Sequence, residues 1–405
     1  MIDIVKENKY FLPFWLARII SQIGDGVHAL AILWFSYHVS KSASMVGIVM
    51  ISVSLPGILI SPVAGNIADK FNRKIIMSIA DFVRFISVGI LAIIAHKEML
   101  NIPILIGIST IMSIASAFFN PTAMAVLPQI VKKEFLTKAN ALSQITANLS
   151  LILGPLIGMT LISLIGISVA FGINSISFLF SGILILKIKT KISNMASEKG
   201  NFLKTLKSGI KLLKKYPIAY KMLDKAAVIN FFFSSITIII PILSENRYKM
   251  GAKGIGLMMS AFGGGTLTSS LFLSFKKIKA SPKIKLTLSL FTMGIFVFLF
   301  GMVKVLPLTL ISLFMVGFSV NFANINLISL YQSTLPNEIL GRIMAFLSAI
   351  ALSLQPISYG LTGIAIEHLG IKLFMAISGI IISISAIRMW FIKELGGKHG
   401  ENISI

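Results

Sequence analysis

The sequence predicts an all-α membrane protein with twelve transmembrane helices in two six-helix repeats. Its 405 residues are 56% hydrophobic and only 13% charged, whereas a soluble domain carries roughly 25% charged residues. The apolar residues form runs of about 20, which is the length of a helix that crosses a bilayer. These runs do not alternate in polarity, so a β-barrel is excluded and helices remain as the spanning structure.

Twelve apolar stretches follow one another along the chain. The first contains Arg18 and Asp25 and is too long for the core of a signal peptide, so we interpret it as a retained membrane helix. The chain has no cysteine, which excludes disulfides, thiolate metal sites and cysteine nucleophiles. The predicted spans are 11–37, 45–65, 75–95, 102–127, 140–163, 168–187, 226–244, 255–275, 286–303, 307–331, 343–366 and 372–391.

The basic residues predict the orientation of these spans. The net charge is +23, and the basic residues lie in short clusters between apolar runs. This distribution is typical of loops that face an anionic membrane leaflet and disfavours nucleic-acid binding. Apart from the middle loop, one set of loops and ends carries sixteen lysines and arginines, and the opposite set carries seven. Both termini are therefore predicted to be cytoplasmic.

The middle loop, 188–225, divides the chain into a predicted bundle at 1–187 and a second at 226–405. Apolar residues recur in this loop at helical spacing between lysines. We interpret them as a basic amphipathic helix that binds anionic lipid on the inner membrane surface. A solvated, lysine-rich linker is the alternative. The apolar residues are Phe202, Leu203, Leu206, Ile210 and Leu213.

The two predicted bundles carry a weak sequence repeat. The segment from Glu134 to Lys138 and the segment from Glu338 to Arg342 stand 204 residues apart, close to half the chain. At the same offset, Asn120 falls on Asn324. A repeat of six-helix units without inversion is typical of gene-duplicated transporters.

The loop between the second and third spans contains Gly65, Asp69, Arg73 and Lys74 in the order G-N-I-A-D-K-F-N-R-K. This loop resembles the signature G-x-x-x-D-(R/K)-x-(G/N)-R-(R/K) of the major facilitator superfamily at every specified position. The resemblance implies that the aspartate meets a helix end in the other half and holds the cytoplasmic side closed. A generic basic loop would explain the cations but not the glycine and the aspartate together.

The fifth span contains Gly154, Pro155 and Gly158, which resemble the core G-P-x-x-G of a motif associated with antiporters of this superfamily. A proline kinks a helix, and the flanking glycines let a neighbouring helix pack closely. The longer motif is not matched, because Ser150 stands where a further glycine is expected. An ordinary packing kink is the alternative interpretation.

Longer segments are similar to the macrolide-efflux and siderophore-exporter branch of the superfamily. They are Asn120-Pro121 with the run from Leu127 to Leu142, Ser21 to Asp25, and Gly254 to Gly265. The resemblance implies export of an amphipathic compound across a bacterial cytoplasmic membrane, driven by the proton gradient. The fourth span, 102–127, lacks the arginine found in many proton antiporters of the superfamily.

Asp25 is the acid nearest the middle of a predicted span. Ionisable residues inside a membrane are costly and are functional candidates by default. Arg18 precedes Asp25 by two helical turns on the same helix face, and His28 follows it by three residues. We predict that Asp25 binds the coupled proton, with Arg18 or His28 adjusting it. A structural polar contact is the alternative.

Asp81 and Arg84 lie one turn apart in the third span, and their i, i+3 spacing allows a direct ion pair. We interpret this pair as gate or structural support near the Asp69 loop, with proton coupling as the lesser alternative. Glu245 and Glu367 fall at predicted outer ends, where solvated surface is expected.

The family fold implies a central cavity lined by the first, fourth, seventh and tenth helices. Uncharged amides among phenylalanines in these helices would suit a bulky amphipathic substrate. For each amide, hydrogen bonding between helices is the alternative. The predicted cavity amides are Asn120, Asn230, Asn321 and Asn324.

Several other functions lack a matching motif. No G-x-x-x-x-G-K-(S/T) or H-E-x-x-H occurs, and the five histidines are scattered. We therefore expect a transporter and not an enzyme, with no cofactor or metal, acting as a monomer on a small amphipathic substrate and protons. An uptake permease or uncoupled facilitator and a non-transporting scaffold or sensor are the alternatives.

Overall fold

A computed structural model describes residues 2–189, 215–276, 278–392 and 395, and these residues are almost entirely helical. The predicted amphipathic helix of the middle loop lies outside them. The helices are α1 Ile2–Glu7, α2 Phe11–Ser40, α3 Ala43–Lys70, α4 Arg73–His96, α5 Ile102–Ile130, α6 Leu136–Leu164, α7 Ile167–Leu186, α8 Pro217–Ile242, α9 Gly251–Phe275, α10 Pro282–Met302, α11 Leu306–Thr334 and α12 Asn337–Trp390.

The described residues contain eleven helices long and apolar enough to cross a membrane. The last, α12, covers two predicted spans and is interrupted at Gly370, whose φ of 76° is outside the helical region. Counting its two parts separately gives the twelve predicted spans. The predicted fold class is confirmed. Most helices extend a few residues beyond the predicted spans, as α3 does, where the Ser42 side chain caps Met45 N.

The chain forms two compact units. The first consists of Met1–Lys199 together with Ile240–Ser260, and the second of Gly200–Ile239 together with Ala261–Ile405. The end of α8 and the start of α9 therefore pack with the N-terminal helices. Each unit buries its own core of apolar side chains.

In the first unit, α2 packs on α6 and α7, and α4 packs on α5 and α7. One end of this unit is closed by the short helix α1, which was not predicted from the sequence. Ile4 is buried at 1% exposure in a cluster with Phe11 and Phe119. The Asn8 side chain accepts a 2.9 Å hydrogen bond from the backbone N–H of Lys132. These contacts tie the N-terminus to the connection between α5 and α6.

In the second unit, α10 packs between α11 and α12. Gly294 of α10 and Gly379 of α12 meet at backbone distance, since a Cβ at Gly294 would lie 2.8 Å from the Gly379 carbonyl oxygen. Small residues at such crossings let membrane helices gain van der Waals contact where no hydrophobic effect drives their association.

Candidate functional site

The first unit contains a buried ion pair between α4 residues. Arg84 Nη2 lies 2.6 Å from Asp81 Oδ1, and the side chains are only 3% and 0% exposed. Ser181 of α7 donates a 2.6 Å hydrogen bond to the other carboxylate oxygen. The ion pair forms as the i, i+3 spacing predicts. Its partner on α7 was not predicted, because that contact depends on how the two helices pack.

Phe119 of α5 connects this pair to α2. The Arg84 guanidinium lies 4.3 Å from the Phe119 ring centroid and 4.6 Å from that of Phe178. The Arg18 guanidinium lies 5.7 Å from the Phe119 centroid. Cation–π contacts of this kind stabilise a cation that has left water. Phe119 is buried at 1% exposure and contacts both arginines.

Asp25 belongs to the same electrostatic group, because Coulombic interactions link Arg18 with Asp25, Asp81 and Arg84. Asp25 keeps accessible surface although the surrounding protein desolvates its carboxyl group, and Arg18 is half-buried. The exposed apolar residues Leu16 and Ile20 lie on roughly the opposite face of α2. Asp25 therefore faces away from the stripe of α2 that is suited to lipid.

His28 is not brought together with Asp25. It is 6% exposed, and its ring packs edge-on against Phe171 of α7 with centroids 5.3 Å apart. Neither ring nitrogen has a hydrogen-bond partner among the described residues. This geometry favours a packing role for His28 over a relay to Asp25.

The glycines of the fifth predicted span contact α2 beside Asp25. A Cβ at Gly154 would lie 2.7 Å from the Cα of Gly26, and a Cβ at Gly158 would lie 3.2 Å from the Cα of Val27. Pro155 is buried between these two glycines. Because Gly26 follows Asp25, any change in the α2–α6 crossing shifts the backbone that carries the Asp25 carboxylate.

The signature loop joins α3 and α4. A Cβ at Gly65 would meet no described atom within 4 Å, and the side chain of Asp69 lies outside the described part of the chain. Arg73 Nη1 donates a 3.1 Å hydrogen bond to the Ala125 carbonyl of α5. The Asn72 side chain caps α4 by accepting from Lys74 N at 3.0 Å. The loop is thus tied to α5 at one end of the first unit.

The predicted cavity amides fall into two groups. Asn120 and Asn324 are exposed at matching positions of the two repeats. Asn230 donates to the Ala226 carbonyl of its own helix at 2.8 Å. Asn321 Nδ2 donates to the Thr266 carbonyl and to Ser270 Oγ of α9. For Asn321, the structure therefore favours the alternative interpretation, in which the amide forms hydrogen bonds between helices.

A second polar group, at the end of α2, was not predicted. Glu245 Oε1 lies 2.9 Å from Lys41 Nζ and 3.0 Å from His38 Nδ1. Asn246 donates a 2.5 Å hydrogen bond to the Tyr37 hydroxyl. Glu245 is thus partly exposed, with a 20% exposed side chain, but it also pairs with residues at the end of α2, which the expectation of solvated surface did not include. Its partners lie some 200 residues away, so sequence spacing gave no signal.

A protein-family model described as transmembrane secretion effector matches residues 6–402. The chain belongs to this family of the major facilitator superfamily. It is a multi-pass membrane transporter and not an enzyme. It is 25% identical over 400 residues to macrolide efflux protein A of Streptococcus pyogenes, covering 96% of this chain and 98% of that protein. It is 24% identical over 354 residues to the enterobactin exporter EntS of Shigella boydii serotype 18, covering 84% and 82%.

Solved structures agree on the fold. A POT family transporter in complex with 5-aminolevulinic acid superposes with a TM-score of 0.75 at 13% identity, covering 96% of this chain and 97% of that one. A D-xylose–proton symporter superposes with a TM-score of 0.73 at 14% identity, covering 95% and 98%. At these identities the likeness shows the fold alone.

Proposed function

We propose that this transporter exports amphipathic drugs or metabolites from the cytoplasm by proton antiport with alternating access. The observation that carries the proposal is the position of Asp25, a carboxylate in mid-span that faces away from the lipid-suited stripe of α2 and interacts with Arg18. The efflux-type relatives, similar over most of this chain, support export. The proposed location is a bacterial cytoplasmic membrane, with both termini cytoplasmic.

Asp25 is the proposed proton site because its surroundings suit a group that changes charge. Arg18 lies two turns away on the same helix face, so its positive charge interacts with the Asp25 carboxylate. A proton from outside neutralises Asp25 and removes the stronger of the two negative charges that act on Arg18. The contact between Gly26 and Gly154 then transmits movement of α2 to α6. The buried Asp81–Arg84 pair keeps its own partners and provides a fixed framework.

The proposed partners follow from the same assignment. They are an amphipathic substrate contacted by exposed amides such as Asn120 and Asn324, protons at Asp25, and anionic lipid at the middle loop. The transporter is proposed to act as a monomer, without nucleic acid. Asp69, Arg73 and Lys74 are proposed to hold the inner gate closed. An uptake permease or uncoupled facilitator is the second candidate, favoured by the absence of arginine from α5.

The test is efflux from cells loaded with fluorescent and antibiotic compounds, with wild type beside Asp25→Asn. We expect uncoupler-sensitive efflux that the substitution slows about tenfold or more, because the neutral amide cannot exchange a proton. Glu98→Gln is the control, since Glu98 is an exposed acid just beyond the end of α4. Efflux that survives both the uncoupler and Asp25→Asn, at equal expression, would refute proton antiport and favour the facilitator.

A further inference from the structure

The first unit contains a cleft of about 320 Å³ where the end of α2 meets the start of α9. This volume lies at the lower end of the range for small-molecule pockets, about 300–1,000 Å³. The side chains of Trp34 and His38 form one wall, with rings stacked 4.7 Å apart. The remainder is lined by Ile162, Ser163, Glu245, Lys249, Gly251 and Ala252. The cleft therefore combines an apolar aromatic wall with both signs of charge.

A hydrogen-bond donor and an acceptor converge above Gly251. A Cβ at this position would lie 3.3 Å from the Trp34 indole Nε1 and 3.8 Å from Glu245 Oε2. The indole N–H only donates, and a carboxylate oxygen only accepts. The absence of a side chain at Gly251 leaves that space open. A small ligand in this space can therefore contact the Trp34 donor with one polar group and the Glu245 acceptor with another.

The charges around the cleft select against a simple ion. The contacts of Glu245 with Lys41 and His38 both end on Oε1, and Oε2 has no hydrogen bond among the described residues. Lys249 adds an exposed cation at the rim. A lone ammonium ion would contact Glu245 but not Lys249, and a lone carboxylate would contact Lys249 but leave Glu245 Oε2 without a ligand donor. A ligand that carries both groups satisfies both signs.

The backbone around the cleft is unusually irregular. Leu243–Arg247 forms a π-helical turn. Lys249 has a φ of 56° and Gly251 a φ of 50°. Two residues with left-handed backbone conformation therefore lie within four positions after this turn. A π-turn and left-handed non-glycine residues are costly and concentrate at functional sites. This irregular segment carries Glu245, Lys249 and Gly251 into one cleft.

We propose that this cleft binds a small amphipathic zwitterion. The ligand's ammonium group contacts Glu245 Oε2, its carboxylate contacts the Trp34 N–H and Lys249, and its apolar body packs along the aromatic wall. Because the occupant would bridge α2 and the segment Ile240–Ser260, it stabilises that contact. The site is distinct from Asp25, and the proposal does not depend on proton antiport or on the direction of transport.

The test is isothermal titration of the purified full-length transporter with three probes of matched size. L-Phenylalanine carries both charged groups, 2-phenylethylamine lacks the carboxylate, and 3-phenylpropionate lacks the ammonium. We expect L-phenylalanine to bind about tenfold or more tightly than either analogue, since each analogue lacks one of the two charged contacts with the cleft. Equal or tighter binding of one analogue would overturn the zwitterion assignment, and failure of all three to bind would overturn the site.

Three variants separate the cleft from the neighbouring ion pair. Glu245→Gln removes the acceptor charge, and Gly251→Ala fills the space above the glycine. Each is expected to weaken L-phenylalanine binding about tenfold. Lys41→Met removes a partner of Oε1 but leaves Oε2, so binding should be retained. If Lys41→Met lost binding as fully as Glu245→Gln, the ion pair and not the cleft would be responsible. Melting temperatures verify that each variant is folded.

Discussion

The two units share a helical plan but differ in what their spans contain. In the first unit, charged side chains lie well inside the helices, as Arg18, Asp25 and the Asp81–Arg84 pair do. In the second unit, Asp224 and Lys225 lie eight and nine residues into α8, and Asp224 is 54% exposed. The other charged residues of its described spans lie near helix ends. The interior there holds amides and phenylalanines, such as Asn321 bonded to α9 and Phe318 stacked on Phe322 with centroids 6.0 Å apart.

This difference indicates that the two halves of a duplicated fold can carry different chemical groups, charged side chains in one and amides with aromatic rings in the other. Charged groups inside a membrane are expensive and persist where they carry function or lock a structure. Aromatic and amide groups cost less and suit contact with a bulky apolar ligand. We therefore expect the first unit to be sensitive to the loss of a charge, and the second to be sensitive to changes of shape. The following substitutions test this comparison.

The largest effect is expected from Arg84→Met. This substitution leaves Asp81 buried beside Ser181 without its counter-charge, and removing one partner of a buried pair costs about 3–5 kcal/mol. The measurement is the thermal unfolding of the purified protein. Asp81→Leu combined with Arg84→Met removes both charges and should recover much of the loss. A single variant as stable as wild type would show that the pair does not lock α4 to α7.

The next effect compares a glycine from each unit. Gly154→Ala places a Cβ 2.7 Å from the Cα of Gly26, so α2 and α6 must separate, at a cost of about 1–3 kcal/mol. Gly264→Ala places a Cβ 3.7 Å from the Phe314 ring, which is ordinary contact. We expect the first variant to lower the melting temperature and slow efflux, and the second to leave both near wild type. If the two variants changed melting temperature and efflux equally, the close contact of α2 with α6 would be no more sensitive to an added Cβ than the looser contact at Gly264.

A smaller effect is expected in the second unit from Asn321→Leu. It removes two hydrogen bonds to α9, and such bonds in membrane proteins average roughly 0.6 kcal/mol each. Asn324→Leu, at an exposed position of the same helix, should leave the melting temperature unchanged. If Asn324 lines the substrate cavity, it should instead alter which compounds are exported. A stability loss at Asn324 larger than at Asn321 would contradict this assignment.

Much of the fold was predictable because long apolar runs admit only one spanning structure. The Asp81–Arg84 pair was also predictable, since helical spacing alone brings i and i+3 together. The remainder depended on packing between distant segments. Helix α1 has six residues, and its stability comes from burying Ile4. The partners of Glu245 lie in another helix, and His28 packs on α7 although Asp25 is only three residues away.

The smallest effect is expected at the rim of the first unit, where charge is present but exposed. Lys132 pairs with Glu7 of α1, and this hydrogen bond raises the pKa of Lys132 above its ordinary value of 10.5. A raised lysine pKa gives stability that is fully present below the ordinary pKa and is lost as pH rises through the folded-state pKa. Glu7→Gln should therefore lower the melting temperature slightly at neutral pH and not at strongly alkaline pH. Glu134→Gln, which removes a more weakly coupled carboxylate, is the matched control. If Glu7→Gln lowered the melting temperature as much as Arg84→Met, the exposed pair would be as important for stability as the buried one. Burial would then not explain why charge pairs in the first unit matter.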